Sequence, residues 1–261
     1  MPELERAIDE ALENAKEPFD ATHGGPFAIF DFDNTCIMND IAEATLAYLC
    51  GNTLLRDTSL LGEKQDDNAD YHERVFHTYY ALLKEKRIKA AYMLNARMFS
   101  GFTPGEAEAV ALAAITEEGS RIGSKMLYGL HIERGLAARR QVLSLMAYLK
   151  AKGVRVWIMS ASQEPAVRAA MKHFGIEADL VAVRSVVRNG VFTSELESPM
   201  PIIEGKVECM RKFIDPARSP LLVADDSPTG LPLLETADIK VVVDRGNELG
   251  KIARERGWFL L

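Results

Sequence analysis

Four acidic residues, three serines and one lysine stand at chemically suggestive places in this sequence. Asp31 and Asp33 flank one residue in Asp31-Phe32-Asp33-Asn34-Thr35, directly after the apolar run Phe27-Ala28-Ile29-Phe30. Ser160-Ala161-Ser162 follows the apolar stretch 154–159, and Asp225-Asp226-Ser227 follows 221–224. Lys206 opens the helical segment ahead of that last stretch. Carboxylates brought together repel one another and stay ionised only with a cation among them. Oxygen-only ligation favours a hard ion such as Mg²⁺, which takes one or two carboxylates and fills its remaining positions with phosphate and water. A phosphate bound beside such a carboxylate is open to attack by it. Aspartate needs no helper base for this, because its reference pKa is about 3.9.

These residues meet only if the stretches before them are neighbouring strands. A helix is expected from residue 4, closing before Pro18, with a loop at His23-Gly24-Gly25-Pro26. The run 27–30 does not alternate, as in a strand buried on both faces of a parallel sheet. A long helical stretch is expected from about 40 to about 130, broken at Gly101 and restarted at Thr103-Pro104-Gly105-Glu106. It is rich in aromatics, among them Tyr71, Tyr79, Tyr80 and Tyr92, whose bland reading is helix-packing core. Regular alternation follows. Helices are expected at 134–152, 164–174, 205–213 and 231–236, and strands at 154–159, 180–183, 221–224 and 239–243. Asn189-Gly190 marks a tight hairpin within 186–192. This alternation predicts a doubly wound α/β fold with a parallel sheet, whose ligands bind outside the carboxyl ends of the strands. The expected divisions are a core of 20–44 and 132–261, an inserted all-helical cap of 45–131, and an N-terminal helix of 1–19.

Composition narrows the partners. The 261 residues carry a formal net charge of −7 and show no basic arm or stripe, which argues against nucleic acid. No apolar run is long enough to span a bilayer. The opening stretch reads as a charged amphipathic helix rather than a signal peptide. Cys36, Cys50 and Cys209 have no paired spacing, so neither a disulfide framework nor a zinc site is expected, and a reducing cytoplasm fits. The five histidines show no metal-ligand spacing.

The sequence resembles the haloacid dehalogenase superfamily, with its Rossmann-like core. Asp31-Phe32-Asp33-Asn34-Thr35 resembles the first motif, Ser160 after Trp157-Ile158-Met159 the second, Lys206 in Glu204-Gly205-Lys206-Val207-Glu208 the third, and Asp225-Asp226-Ser227 the fourth. The four occur in order, each at a strand end or helix start. Within the superfamily, the place of the insert, the run Gly153 to Ser162, and Asn189-Gly190-Val191-Phe192-Thr193 leading to Gly205-Lys206-Val207 are similar to the phosphoserine phosphatase-like subfamily.

The resemblance implies a Mg²⁺-dependent phosphatase acting on a small phosphorylated metabolite. Asp31 would be the nucleophile that forms a phosphoaspartate, and Asp33 the acid and base. Asp31 and Asp226 would bind the metal through side chains and Asp33 through its carbonyl, while Ser160 and Lys206 would bind phosphate. The family's fourth motif often reads G-D-x-x-x-D. Here Asp225 stands in place of the first glycine and Gly230 in place of the last acid, so Asp225 is a candidate substitute ligand. In this subfamily an acid nine residues after the nucleophile meets the substrate's amine. That position is Asp40, with Glu43 one helical turn on, and a helix N-cap at Asp40 is the plain alternative. Arg97 lies near the subfamily's carboxylate-binding arginine. An amine-bearing ester of the phosphoserine, phosphoethanolamine or phosphocholine type is the favoured substrate. Two alternatives stay open: a dehalogenase or phosphonate hydrolase, against which Asp33 argues, and a non-catalytic phosphate-binding or scaffolding protein, which the altered fourth motif favours.

Overall fold

The computed structural model describes residues 1–14, 25–66 and 68–261. The expected helix end before Pro18, the start of the core at 20 and the loop residues His23 and Gly24 lie outside the described residues. Helix α1 (Pro2–Asn14) buries Leu4 and Ile8 and precedes β1 (Phe27–Phe30), all four of whose residues are buried. The chain leaves the sheet through β2 (Ile37–Met38) and passes through α2 (Ile41–Gly51), α3 (Ala69–Lys84), α4 (Ile88–Asn95) and α5 (Pro104–Glu118). It returns by the hairpin β3 (Gly123–Leu127) and β4 (Leu130–Arg134) and the short strand β5 (Ala137–Ala138). Then come α6 (Arg140–Ala151), β6 (Arg155–Gln163), α7 (Glu164–Phe174) and β7 (Asp179–Val183). A second hairpin, β8 (Ser185–Arg188) and β9 (Val191–Leu196), turns at Asn189-Gly190 as expected. The chain closes with α8 (Gly205–Phe213), β10 (Leu222–Asp225), α9 (Leu231–Leu234), β11 (Ile239–Val242), α10 (Glu248–Arg256) and β12 (Phe259–Leu260).

Six strands form one sheet in the order β12-β11-β10-β1-β6-β7, with every neighbouring pair parallel. Strand residues alternate between two cores, as a sheet covered on both faces requires. Ala28, Phe30, Ile158 and Ala224 pack on one face with α1, α6 and α7. Phe27, Ile29, Val223 and Val242 pack on the other with α8, α9 and α10. The strand that carries Asp31 is therefore central, between the strands that carry Asp225 and Ser160.

Helices α2–α5 pack on one another, and α5 also rests on α7. The Thr-Pro-Gly-Glu start of α5 forms a capping box, with Thr103 and Glu106 each accepting from the other's backbone N–H. Strands β2 and β5 pair antiparallel, so the outgoing and returning chains run side by side at the edge of the core.

Several expected bounds differ: the helical stretch is also interrupted between Gly51 and Ala69, and the helix expected at 231–236 ends at Leu234. Residues 123–134 form the β3–β4 hairpin, so the stretch to 131 is not wholly helical, and α6 begins at Arg140 rather than at 134. Tyr128 and Gly129, both with positive φ, make a two-residue turn suited to a hairpin. Gly135 has a φ of +88°, and a side chain there would overlap the carbonyl of Arg121, so a helix cannot run through it.

Candidate active site

The chain bends sharply after β1. Asp33 is extended, and Asn34 takes a left-handed conformation with a φ of 60°, which asparagine tolerates better than most residues. The Asn34 N–H donates to the carbonyl of Asn39 at 3.1 Å, and an Arg139 guanidinium N–H donates to the carbonyl of Asn34 at 3.1 Å. The curl sets Asp31 and Asp33 at the carboxyl edge of the sheet. There the Asp31 N–H still donates to the carbonyl of Ala224 on β10.

Carboxylate oxygens of Asp31, Asp225 and Asp226 lie within 4.8 Å of one another. Lys206, at the start of α8, is buried and spans two of them: its Nζ is 2.8 Å from Asp31 Oδ1 and 2.7 Å from Asp225 Oδ2. Burial alone would lower the Lys206 pKa, but the charges of Asp225 and Asp31 overcome it and hold the ammonium protonated. Asp226 is bonded on both sides, Oδ1 accepting from Thr35 at 3.2 Å and Oδ2 from Arg245 at 3.1 Å. Burial and then the charge of Asp225 push its carboxyl up to about 6, despite Arg245. Burial likewise raises Asp31 well above the ordinary carboxylate range. Three buried carboxylates beside one ammonium and one guanidinium make a donor set of hard oxygens short of positive charge, which fits a divalent cation.

Asp33 belongs to a second, separate set of bonds. Its Oδ1 accepts from the Ile41 N–H at 2.7 Å, and its Oδ2 from the Ser162 hydroxyl at 2.6 Å and the Ser160 hydroxyl at 3.2 Å. Burial first, and the charge of Asp40 next, raise its pKa well above the usual range. Two neighbouring aspartates thus differ in surroundings, Asp31 bonded to one ammonium beside two acids and Asp33 among hydroxyl and amide donors.

Asp31, Asp33, Asp40, Lys206 and Asp226 all line one cavity of about 190 Å³ at the strand ends. Asp225 is fully buried beneath it. Ser160 is fully buried too: its oxygen accepts from the Ser162 N–H at 3.0 Å, and it is Ser162, two residues on, that faces the cavity. Asp40 is the N-cap of α2, accepting from the N–H groups of Ala42 and Glu43, and it lines the cavity as well. The N-cap reading of that residue is met. Glu43 accepts from the Tyr79 and Tyr80 hydroxyls, at 3.1 and 3.2 Å, and burial with the charge of Asp40 lifts it to about 8.

Arg97 does not line this cavity. The turns that follow α4, from Arg97 N–H to Leu94 and from Met98 N–H to Asn95, carry Arg97 away from this cavity. It lines a different, shallow hollow with Leu60, Leu61 and Met93, and its charge acts on Asp57. Asn95 and Ala96, just before it, face the site instead. Of the four tyrosines Tyr71, Tyr79, Tyr80 and Tyr92, Tyr79 and Tyr92 line the cavity. Tyr71 donates to the carbonyl of Asp57 at 2.8 Å, and Tyr80 reaches the site only through Glu43.

Sequence reasoning passes over Arg245, which sits in the loop after β11 beyond the last motif and carries no local signal. It also passes over Thr35, although that residue closes the first motif. The Gly230 substitution has a structural counterpart. A side chain at 230 would overlap the carboxylate of Asp225, so the acid on β10 fills the space that a residue at 230 would enter.

Residues 28–235 match the profile of the haloacid dehalogenase-like hydrolases. The phosphorylcholine phosphatase of Pseudomonas aeruginosa is 26% identical over 249 residues, covering 78% of this chain and 69% of that protein. A conserved protein of unknown function from Anaerococcus prevotii has a similar structure, with a TM-score of 0.71 at 19% identity, covering 98% of this chain and 90% of that one. Substrate-bound phosphoserine phosphatase shares the fold at a TM-score of 0.55 and 15% identity, covering 90% of this chain and 92% of that one. The match over residues 28–235, on a core with four motif-bearing strand ends and helix starts gathered at one edge, means that the chain belongs to the haloacid dehalogenase-like hydrolases.

Proposed function

We propose that the protein is a Mg²⁺-dependent phosphatase that hydrolyses a small phosphate monoester through a phosphoaspartate on Asp31. The observation that carries this reading is the contrast between Asp31, tied to Lys206 at 2.8 Å, and Asp33, tied to Ser162 at 2.6 Å. A carboxylate oxygen of Asp31 attacks phosphorus, and the bond from phosphorus to the ester oxygen breaks. Asp33 gives its proton to the departing oxygen. A water molecule then attacks the phosphoaspartate and loses a proton to Asp33, which restores the acid and frees phosphate and the Asp31 carboxylate. Lys206 is the proposed phosphate ligand together with Ser162 at the cavity wall, and Ser160, expected as a ligand but buried behind Ser162, would position it and Asp33. They offset negative charge as the transferred group passes between oxygens. Asp31, Asp225 and Asp226, with the carbonyl of Asp33, would hold the Mg²⁺, which supplies charge neutralisation to the phosphate when bound.

Helices α2–α5 would act as a cap over the edge that carries these residues, and the insert between β2 and β5 would be its unit. The favoured substrate carries an amine, which Asp40 and Glu43 on the cavity wall would meet. The phosphorylcholine of the Pseudomonas relative is one such ester. The three cysteines are free and buried, which suits a reducing cytoplasm. Among the described residues no helix is long and apolar enough to cross a membrane.

The test is phosphate release from a panel of monoesters with Mg²⁺ and with chelator. Metal-dependent release by the native chain, absent in Asp31→Asn, is the expected result. Release without metal, or by Asp31→Asn, would overturn the mechanism. No release from any ester would favour the phosphate-binding alternative.

A further inference from the structure

Asn95 and Gln163, two residues that line the cavity, hold three buried polar atoms with no hydrogen-bond partner among the described residues: Nδ2 and Oδ1 of Asn95, and Oε1 of Gln163. Both side chains are almost wholly buried, at 4% and 2% exposure, and both line the same cavity as Asp31 and Asp33. A buried amide without a partner is costly, and one that lines a ligand-sized cavity calls for a partner there. The two residues are also fixed to each other. Gln163, at the end of β6, donates from Nε2 to the carbonyl of Asn95 at 3.0 Å and to that of Ala96. This joins the last turn of α4 to the strand that carries Ser160. The amide pair is therefore held in place before any ligand arrives.

What could complete it follows from counting donors and acceptors. Oδ1 of Asn95 and Oε1 of Gln163 are acceptors, and Nδ2 of Asn95 is a donor. Asp40 and Glu43 add two acids to the same wall. A primary ammonium brings three N–H donors and a positive charge, and so can meet both amide oxygens, while Nδ2 of Asn95 is left to donate to an oxygen of the same ester. A quaternary ammonium brings the charge but no donor, and it is usually held by several aromatic faces. Among the described residues lining this cavity, only Tyr79 and Tyr92 are aromatic, fewer faces than such a cage uses.

We propose that Asn95 and Gln163 read the leaving group of the substrate, and that the group they accept carries a primary ammonium rather than a quaternary one. The inference rests on the phosphatase reading above and goes beyond it in naming two specificity residues and the head group.

The experiment measures kcat and KM for phosphoethanolamine, phosphocholine and propyl phosphate with the full chain and Mg²⁺. Variants Asn95→Leu, which is close in volume but has no hydrogen-bonding atom, and Asn95→Asp, which keeps an acceptor, are compared. The native chain should favour phosphoethanolamine over phosphocholine by at least about tenfold in kcat/KM, the size of a hydrogen bond to a charged group. Asn95→Leu should lose about tenfold more on phosphoethanolamine than on propyl phosphate, mainly through KM, with a Tm equal to or above the native value. Asn95→Asp should keep the preference. A native preference for phosphocholine, or equal losses on all three esters in Asn95→Leu, would overturn the proposal while leaving the phosphatase reading intact. If no ester is hydrolysed, the phosphatase reading fails and this inference fails with it.

Discussion

Nζ of Lys206 lies 2.8 Å from Oδ1 of Asp31, and the same ammonium lies 2.7 Å from Oδ2 of Asp225. One cation at the head of α8 thus links the strand-end acid proposed as nucleophile to the acid on the neighbouring strand. Asparagine at 31 would keep the shape and lose both the charge and the nucleophile. Asp31→Asn should therefore release no phosphate at any Mg²⁺ concentration, while circular dichroism and Tm show a folded protein. Turnover above a hundredth of native would remove Asp31 from the role.

The Asp33 carboxylate accepts three hydrogen bonds, from Ile41, Ser162 and Ser160, and lies outside the cluster of three acids. As acid and base it should matter for rate rather than for metal. Asp33→Asn should lower kcat by about 10²–10⁴-fold with an unchanged Mg²⁺ requirement. An Mg²⁺ titration shifted as far as in a ligand variant would argue for a metal role instead.

Asp226 is bonded by Thr35 and Arg245 on opposite oxygens, an arrangement that fixes its plane. Removing that carboxylate should weaken the hard-cation site. Asp226→Ala should raise the half-saturating Mg²⁺ concentration by at least about tenfold, and Thr35→Val, which loses one bond to it, by less. The check is an Mg²⁺ titration of phosphate release. An order reversed between the two variants would place the supporting residue above the ligand and sink the assignment.

A methyl group at 230 would overlap the Asp225 carboxylate, which is itself buried and paired with Lys206. Gly230→Ala must displace one or the other. Overpacking of this kind typically costs about 1–3 kcal/mol. Denaturant melts should show that loss, together with a raised Mg²⁺ requirement. Native stability and native metal dependence in Gly230→Ala would mean that Asp225 moves freely and is no fixed part of the site.

Glu43 is held up to about 8 by burial and by Asp40, against an ordinary value of 4.5. Between about pH 4.5 and pH 8 the folded chain keeps a proton that the unfolded chain releases, so this group withdraws stability as pH rises. Glu43→Gln removes that slope. The difference in Tm between variant and native protein should grow in the variant's favour from pH 5 to pH 8.5. Parallel curves across that range would show that Glu43 is already ionised in the folded chain.

Much of this arrangement was legible in the sequence because the runs before the site are short, apolar and buried on both faces. β1, α7 and α8 have the expected bounds, and Asp31, Asp33, Lys206 and Asp226 come to one cavity because parallel strands deliver their carboxyl ends to one edge. The β3–β4 hairpin was missed because its residues are mostly polar and exposed, which leaves no apolar period to read. Arg97 was misplaced because its orientation depends on two turns after α4 that no spacing rule encodes. Arg245, Asn95 and Gln163 are ordinary residue types in ordinary segments. Only the packing of α4 on the end of β6, and of the loop after β11 on Asp226, gives them their positions.

The exclusion between Asp225 and Gly230 also bears on descent. A gene carrying acid at both positions would encode two groups competing for one volume. A gene carrying it at neither would leave Lys206 with a single carboxylate partner, Asp31. Single-step substitution between the two arrangements therefore passes through a crowded or an undercharged ancestor. The two positions should accordingly change as a pair: chains with Asp at 225 should keep Gly at 230, and chains with an acid at 230 should carry Gly or another small residue at 225.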